Sequence, residues 1–196
     1  MLDTAPPASL IVPRIVLDLP KTGDPDIVFS EDDTPVERHL VADLSVAYAF
    51  DEPKCFVMVA RRDLVRLRLD NRCVHGLAIA NLLERMKKLE PEFQQLSNGV
   101  FILAGAGDFT AATLLLDDVW RQAMDRLHEG LLVPGPLVAA VPARDMVAFT
   151  RAENRQGLTF MRSRVSQVLE ESDHTLTRHF LVRRDGTWSQ YEGFAG

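Results

Sequence analysis

Two cysteines in 196 residues are too few for a disulfide framework. At Cys55 and Cys73 they also lack the spacing of a CxxC pair or a metal-ligand set. Both read as small buried hydrophobes in a reducing compartment. Long apolar runs are missing: none approaches the roughly 20 residues that a bilayer span needs. A secretory leader is not expected either. Asp3 stands where positive charge belongs, and Pro6, Pro7 and Pro13 interrupt the early apolar residues. Acid outnumbers base, and the resulting net charge of −6 gives no footprint for nucleic acid. Glycine and proline, 11 each, are near average and no repeat is present, which excludes fibrous and low-complexity chains. These absences point to a cytoplasmic protein with neither nucleic acid nor membrane as partner.

What is present is ordinary globular material, with 46% apolar and 26% charged residues. A chain of this length can bury roughly 70% of the surface it exposes when unfolded, so it needs neither staple nor structural metal. One domain over residues 1–196 is expected, with a strand and acidic loop in 1–37 and a core in 38–191. Leu10 to Leu19 reads as a strand, Lys21 to Thr34 as a loop, and Arg38 to Phe50 with Cys55 to Val59 as a hairpin around Asp51-Glu52-Pro53-Lys54. Asp24, Asp26, Glu31, Asp32, Asp33 and Glu37 make an acidic run, and Arg61, Arg62, Arg66, Arg68 and Arg72 a basic one. Each run is a solvated face, or the two attract one another within the chain, or they meet a protein partner.

Asp70 or Asn71 can cap a helix reaching Leu89, with Ile79, Leu82, Leu83, Met86 and Leu89 as its apolar stripe. After a short strand, Val100 to Leu103, the elbow Gly105-Ala106-Gly107 leads to Asp108. This aspartate opens the most strongly amphipathic helix, whose stripe is Phe109, Ala112, Leu116, Val119, Trp120, Ala123 and Leu127, ending at Gly130. Strands at Leu137 to Val141 and Met146 to Thr150 follow, then a helix over about Glu153 to Glu171, and a closing hairpin about Asp185-Gly186. Strands and helices alternate irregularly. The expectation is an α+β fold with a mixed or mostly antiparallel sheet against about three helices.

Candidate chemistry is sparse. Gly105-Ala106-Gly107-Asp108 falls short of a phosphate-binding loop, because no Gly-Lys-Ser/Thr and no third small residue follow. An N-cap carboxylate on Asp108 would also repel an anion there. Asp117 and Asp118 point about 100° apart around a helix and fit surface pairing with Arg121 better than a shared metal. Arg144-Asp145 reads as a turn that could project from a strand end. His39, His75, His128, His174 and His179 form no ligand spacing, so neither metal nor cofactor is expected. Trp120 reads as core, while Trp188 and Tyr191 fit either core or a contact surface.

Linked motifs stand in order along the chain. They are Asp43 to Pro53, Ala78-Ile79-Ala80-Asn81-Leu82, Gly107-Asp108-Phe109, Leu114 to Trp120, Ala140 to Asp145, and Asp185-Gly186-Thr187-Trp188. In this the sequence resembles the YtpQ-like family of uncharacterised bacterial proteins, over about residues 38 to 191. The resemblance implies that Gly107, Asp108, Phe109, Asp117, Asp118 and Trp120, with Arg144 and Asp145, form a defining set. It carries no reaction. The leading expectation is a non-enzymatic module that binds a protein partner or a small ligand. The alternatives are an enzyme, such as a hydrolase, using Asp108, Arg144 and Asp145, and a structural protein that forms oligomers.

Overall fold

In the computed structural model, which describes residues 6–18, 30–130 and 135–193, β-branched runs become strands and apolar 3.6-residue periods become helices. The protein is α+β, with antiparallel strand pairing in both of its sheets. The described residues fall into two compact units. One holds the residues up to Leu40 with Ser45–Lys88, and the other holds Val41–Leu44 with the residues from Leu89 onward.

In the first unit, β1 (Ile11–Leu17), β2 (Glu37–Val41), β3 (Leu44–Glu52) and β4 (Cys55–Met58) form a four-stranded sheet. β1 flanks one side of β3, and both β2 and β4 pair with it. The span expected as one strand, Arg38 to Phe50, is two, because Ala42 turns the chain at φ 53°. The hairpin about Pro53-Lys54 forms as expected, with Glu52 opposite Cys55. Two helices follow. The first, α1 (Arg61–Leu67), is a short helix not expected from the sequence, and Asp63 caps its start: its carboxylate accepts from the Ala60 amide at 2.9 Å and from Arg66 at 2.8 Å. The residue α2 (Asn71–Leu89) follows is Asp70, whose Oδ1 accepts from the Cys73 amide at 2.6 Å.

The buried stripe of α2 is Val74, Ala78, Leu82 and Met86. Leu83 and Leu89, expected inside, are exposed. The same helical phase overturns the expected burial of Cys73, which lies about 100° from Val74 and faces outward. Cys55 is exposed too, at the start of the short strand β4. The acidic and basic runs meet: Glu31 pairs with Arg61 at 2.9 Å and Asp33 with Arg62. Residues 21–29 of the acidic loop lie outside the described residues.

The second unit is built on a six-stranded sheet. Its members are β5 (Glu92–Gln95), β6 (Phe101–Ala104), β7 (Leu137–Ala143), β8 (Met146–Arg151), β9 (Phe180–Arg184) and β10 (Thr187–Gln190), in the order β10-β9-β7-β8-β6-β5. Helix α3 (Asp117–Gly130) and helix α4 (Arg155–Glu171) belong to this unit. Every residue of β7 is buried. Val138 and Ala140 of β7, with Ala148, Phe180 and Val182, meet Leu158, Met161 and Val165 of α4. Phe149 of β8 stacks on Phe101 and takes the edge of Trp120 from α3, with ring centres 5.7 Å apart in both contacts. Asn154 caps α4 by accepting from the Gly157 amide, while its amide group donates to Asn98 O and Thr150 Oγ1, each at 2.8 Å. No described helix is long and apolar enough to cross a membrane.

The long helix expected from Asp108 is corrected. Residues Gly107–Phe109 and Ala111–Leu115 are two 3₁₀ turns, and extended backbone at Leu116 separates them from α3. Thr110 and Thr113 donate their hydroxyls to carbonyls three residues back, at 2.7 and 2.6 Å, which competes with an α-helical ladder. The Ala111 amide leaves the segment altogether for Arg144 O at 2.9 Å. The break also serves burial, since Ala111, Ala112, Thr113 and Leu114 are all inside, whereas a surface α-helix keeps one face in water. Asp108 therefore makes no cap for α3.

The fully buried Trp120 closes this segment, donating from Nε1 to Thr113 O at 2.7 Å. Trp120→Ala should lower stability by about 3–5 kcal/mol through the cavity it leaves. Trp120→Phe should cost about 1–3 kcal/mol, because the ring contact survives but the Thr113 carbonyl loses its donor. Urea midpoints followed by circular dichroism check both.

Candidate functional site

The polar residues singled out from the sequence come together only in part. The two-residue turn Arg144-Asp145 joins β7 to β8, with Ala143 opposite Met146. Its backbone holds two other segments: Arg144 O accepts from Ala111, and Arg144 N donates to His174 O at 3.3 Å. The segment that carries Gly107, Asp108 and Phe109 thus sits beside this turn through main chain. The glycines at both ends of the elbow are needed there, since Gly105 and Gly107 have φ of 89° and 54°. Asp108 is exposed, and Asp145 lines an opening of about 360 Å³ with Met146, Arg164 and Glu171, a lining that includes neither Asp108 nor Arg144.

Asp117 and Asp118 act separately. Asp118 pairs with Arg121, and Asp117 with Arg183 of β9 at 2.6 Å. Trp188 faces inward, with Nε1 on Leu114 O at 3.0 Å and its ring against Trp120. Tyr191 donates to Ala152 O at 3.3 Å. Among the described residues no group of three or more metal-binding side chains assembles.

Two clusters in the first unit had no sequence signal. Asp18 accepts from Ser45 through one oxygen and contacts His39 Nδ1 through the other at 2.9 Å. Burial works against its charge, but the hydrogen bonds from Ser45 and His39 outweigh it and hold the carboxyl below its ordinary range. Serine, histidine and aspartate are the members of a nucleophilic triad, yet here the aspartate stands between the other two. The histidine is therefore not the serine's base. Nearby, Glu37 is pushed up by burial and then by the charge of Asp18.

The second cluster is Tyr48 and His75. The Tyr48 hydroxyl lies 3.0 Å from His75 Nδ1, and their rings meet edge to face. Burial, and then the positive charge of Arg38, press the His75 pKa below 6.5. The neutral ring is the form this packing favours.

A groove with converging basic side chains lies in the second unit, between α4 and the start of β9. Arg162, Val165, Ser166, Leu169 and Glu170 occupy one face of α4, at i, i+3, i+4, i+7 and i+8. Across from them stand Arg178, His179 and Phe180, with Tyr191 at one end, enclosing about 580 Å³ open on one side. The opposite wall is set by backbone. Leu176 donates to Pro142 O at 2.7 Å, Thr177 to Val141 O at 3.3 Å, and the His179 amide to Thr177 Oγ1 at 2.9 Å. Asp43 Oδ2 lies 3.9 Å from His179 Nε2, and among the described residues Asp43 Oδ1 is buried without a hydrogen-bond partner. Val165 and Phe180 give the groove an apolar floor. His179 entered the sequence reading only as a rejected metal ligand, because the α4–β9 pairing that gives it neighbours is tertiary.

No protein-family model, curated protein or solved structure matches the chain.

The His75 packing sets a pH dependence. The unfolded ring takes a proton near pH 6.5, the folded ring only below that, so acid favours the unfolded chain and stability falls as pH drops through about 6.5. Between about pH 7.5 and 5.5, the urea midpoint of the parent should fall further than that of His75→Gln. Parallel losses would show that the ring is not held neutral.

Proposed function

We propose that the protein is a cytoplasmic binding module and that its ligand is a small molecule held in the α4–β9 groove. The observation that carries this reading is the groove's lining. Two arginines and a histidine converge over an apolar floor, in a chain whose net charge is −6. Small-ligand sites combine such concave apolar surface with a few convergent polar groups. The two exposed free thiols suit a reducing compartment. Kinship with the YtpQ-like family rests on the motifs quoted above and adds no activity.

A second reading, an enzyme centred on Asp108, Arg144 and Asp145, is favoured by one feature. Among the described residues, Arg144 Nε is a buried donor without a hydrogen-bond partner. Turnover of a hydrolase substrate by the parent but not by Arg144→Gln would support it. Assembly into oligomers through Trp188 and Tyr191 has less behind it, since both side chains are part-buried with partners inside their own unit.

The test is a fragment screen read by two-dimensional amide NMR on the full chain. Bound fragments should shift the signals of Val165, Ser166, Leu169 and Phe180 together, and shifts scattered over the surface would overturn the groove as the site. Arg178→Glu, at an exposed position, should change stability by no more than about 0.5 kcal/mol while altering which fragments bind.

A further inference from the structure

We propose, resting on the groove reading above, that the ligand carries an oxyanion head, a carboxylate or a phosphate monoester, on a small apolar body. The charge of the lining gives the head. Arg162 reaches in from α4, Arg178 and His179 from the opposite wall, and Glu170 is the one carboxylate among the lining residues. Arg178 is exposed and makes no ion pair among the described residues. By contrast, Arg61, Arg62, Arg66, Arg85, Arg121, Arg126 and Arg183 each hold a carboxylate. A guanidinium at the mouth of a concave site presents a planar fork of donors that matches a carboxylate or phosphate.

The floor gives the body. Half-buried Leu169 and the nearly buried Val165 and Phe180 line the groove, so inorganic phosphate alone would leave the exposed part of this apolar lining in water. A ring or short aliphatic chain covers it. The volume of about 580 Å³ falls within the range of about 300–1,000 Å³ usual for small-ligand sites.

Four probes decide the matter on the full chain, with amide NMR as the readout: phenyl phosphate, benzoate, inorganic phosphate and benzyl alcohol. Phenyl phosphate or benzoate should bind at the groove at least about tenfold more tightly than either inorganic phosphate or benzyl alcohol, as charge-assisted contacts and apolar burial both contribute. The tighter of the two anions identifies the head group. Arg178→Gln should weaken that anion about tenfold and leave benzyl alcohol unchanged, and Glu170→Gln should tighten the anion by removing a like charge. If benzyl alcohol binds the groove as well as the anions do, the oxyanion head is wrong and the groove reading stands. If no probe moves the groove signals, the groove reading itself fails.

Discussion

The strand β7 governs the second unit, because nothing along it touches water. Seven consecutive buried residues require that each amide and carbonyl find a partner within the protein, and an unpaired one costs about 1–3 kcal/mol. The strand meets this demand by pairing with β8 on one side and β9 on the other. Its two faces must then be covered by separate layers, and small side chains such as Ala139 and Ala140 let those layers come close. The side with Val138 and Ala140 receives Leu158, Met161 and Val165. Phe149, opposite Ala139, receives Trp120. The positions of both long helices of this unit follow from one apolar strand. The same constraint acts on β3 in the first unit, where Leu44 to Phe50 are all buried.

How far this was legible depended on whether the signal was local. Two-residue turns were readable at Pro53-Lys54 and Asp185-Gly186, because turn chemistry is encoded in adjacent residues. Asp70 was readable as a cap for the same reason. Five of the seven residues in the stripe expected from Phe109 to Leu127, namely Ala112, Leu116, Trp120, Ala123 and Leu127, are buried, while Phe109 and Val119 are half-buried. Periodicity alone made them one helix. What broke it was a long-range hydrogen bond, Ala111 to Arg144, together with two threonines bonding to their own backbone. The α2 stripe was right at Leu82 and Met86 and wrong at Leu83 and Leu89, as Val74 and Ala78 compete for the inward face and a single helix period cannot rank them.

The groove was illegible for a related reason. Arg162 and Arg178 are 16 positions apart, and each read alone as a solvated charge. Only the antiparallel return of β9 along β7 brings the chain before it back past α4. Charge in this protein is otherwise settled by proximity in space: Glu31 with Arg61, Asp33 with Arg62, Asp51 with Arg85 and Asp117 with Arg183 are all partnerships across 29 or more residues. Exposed pairs of this kind add little each, and their value lies in fixing which surface charges remain available.

The irregularity in β7 between Ala140 and Ala143 reaches beyond the strand. It lets Pro142, which has no amide hydrogen, lie within a sheet, and it frees the carbonyls of Val141 and Pro142 to anchor Thr177 and Leu176. Evolution is thereby constrained unevenly along this chain. Residues can be added at the Asp185-Gly186 tip at small cost, but a single-residue deletion near Pro142 would shift the anchor of Thr177 and drag Arg178 and His179 out of line with α4. Length variation among descendants of this sequence should therefore spare that strand and gather at the hairpin ends.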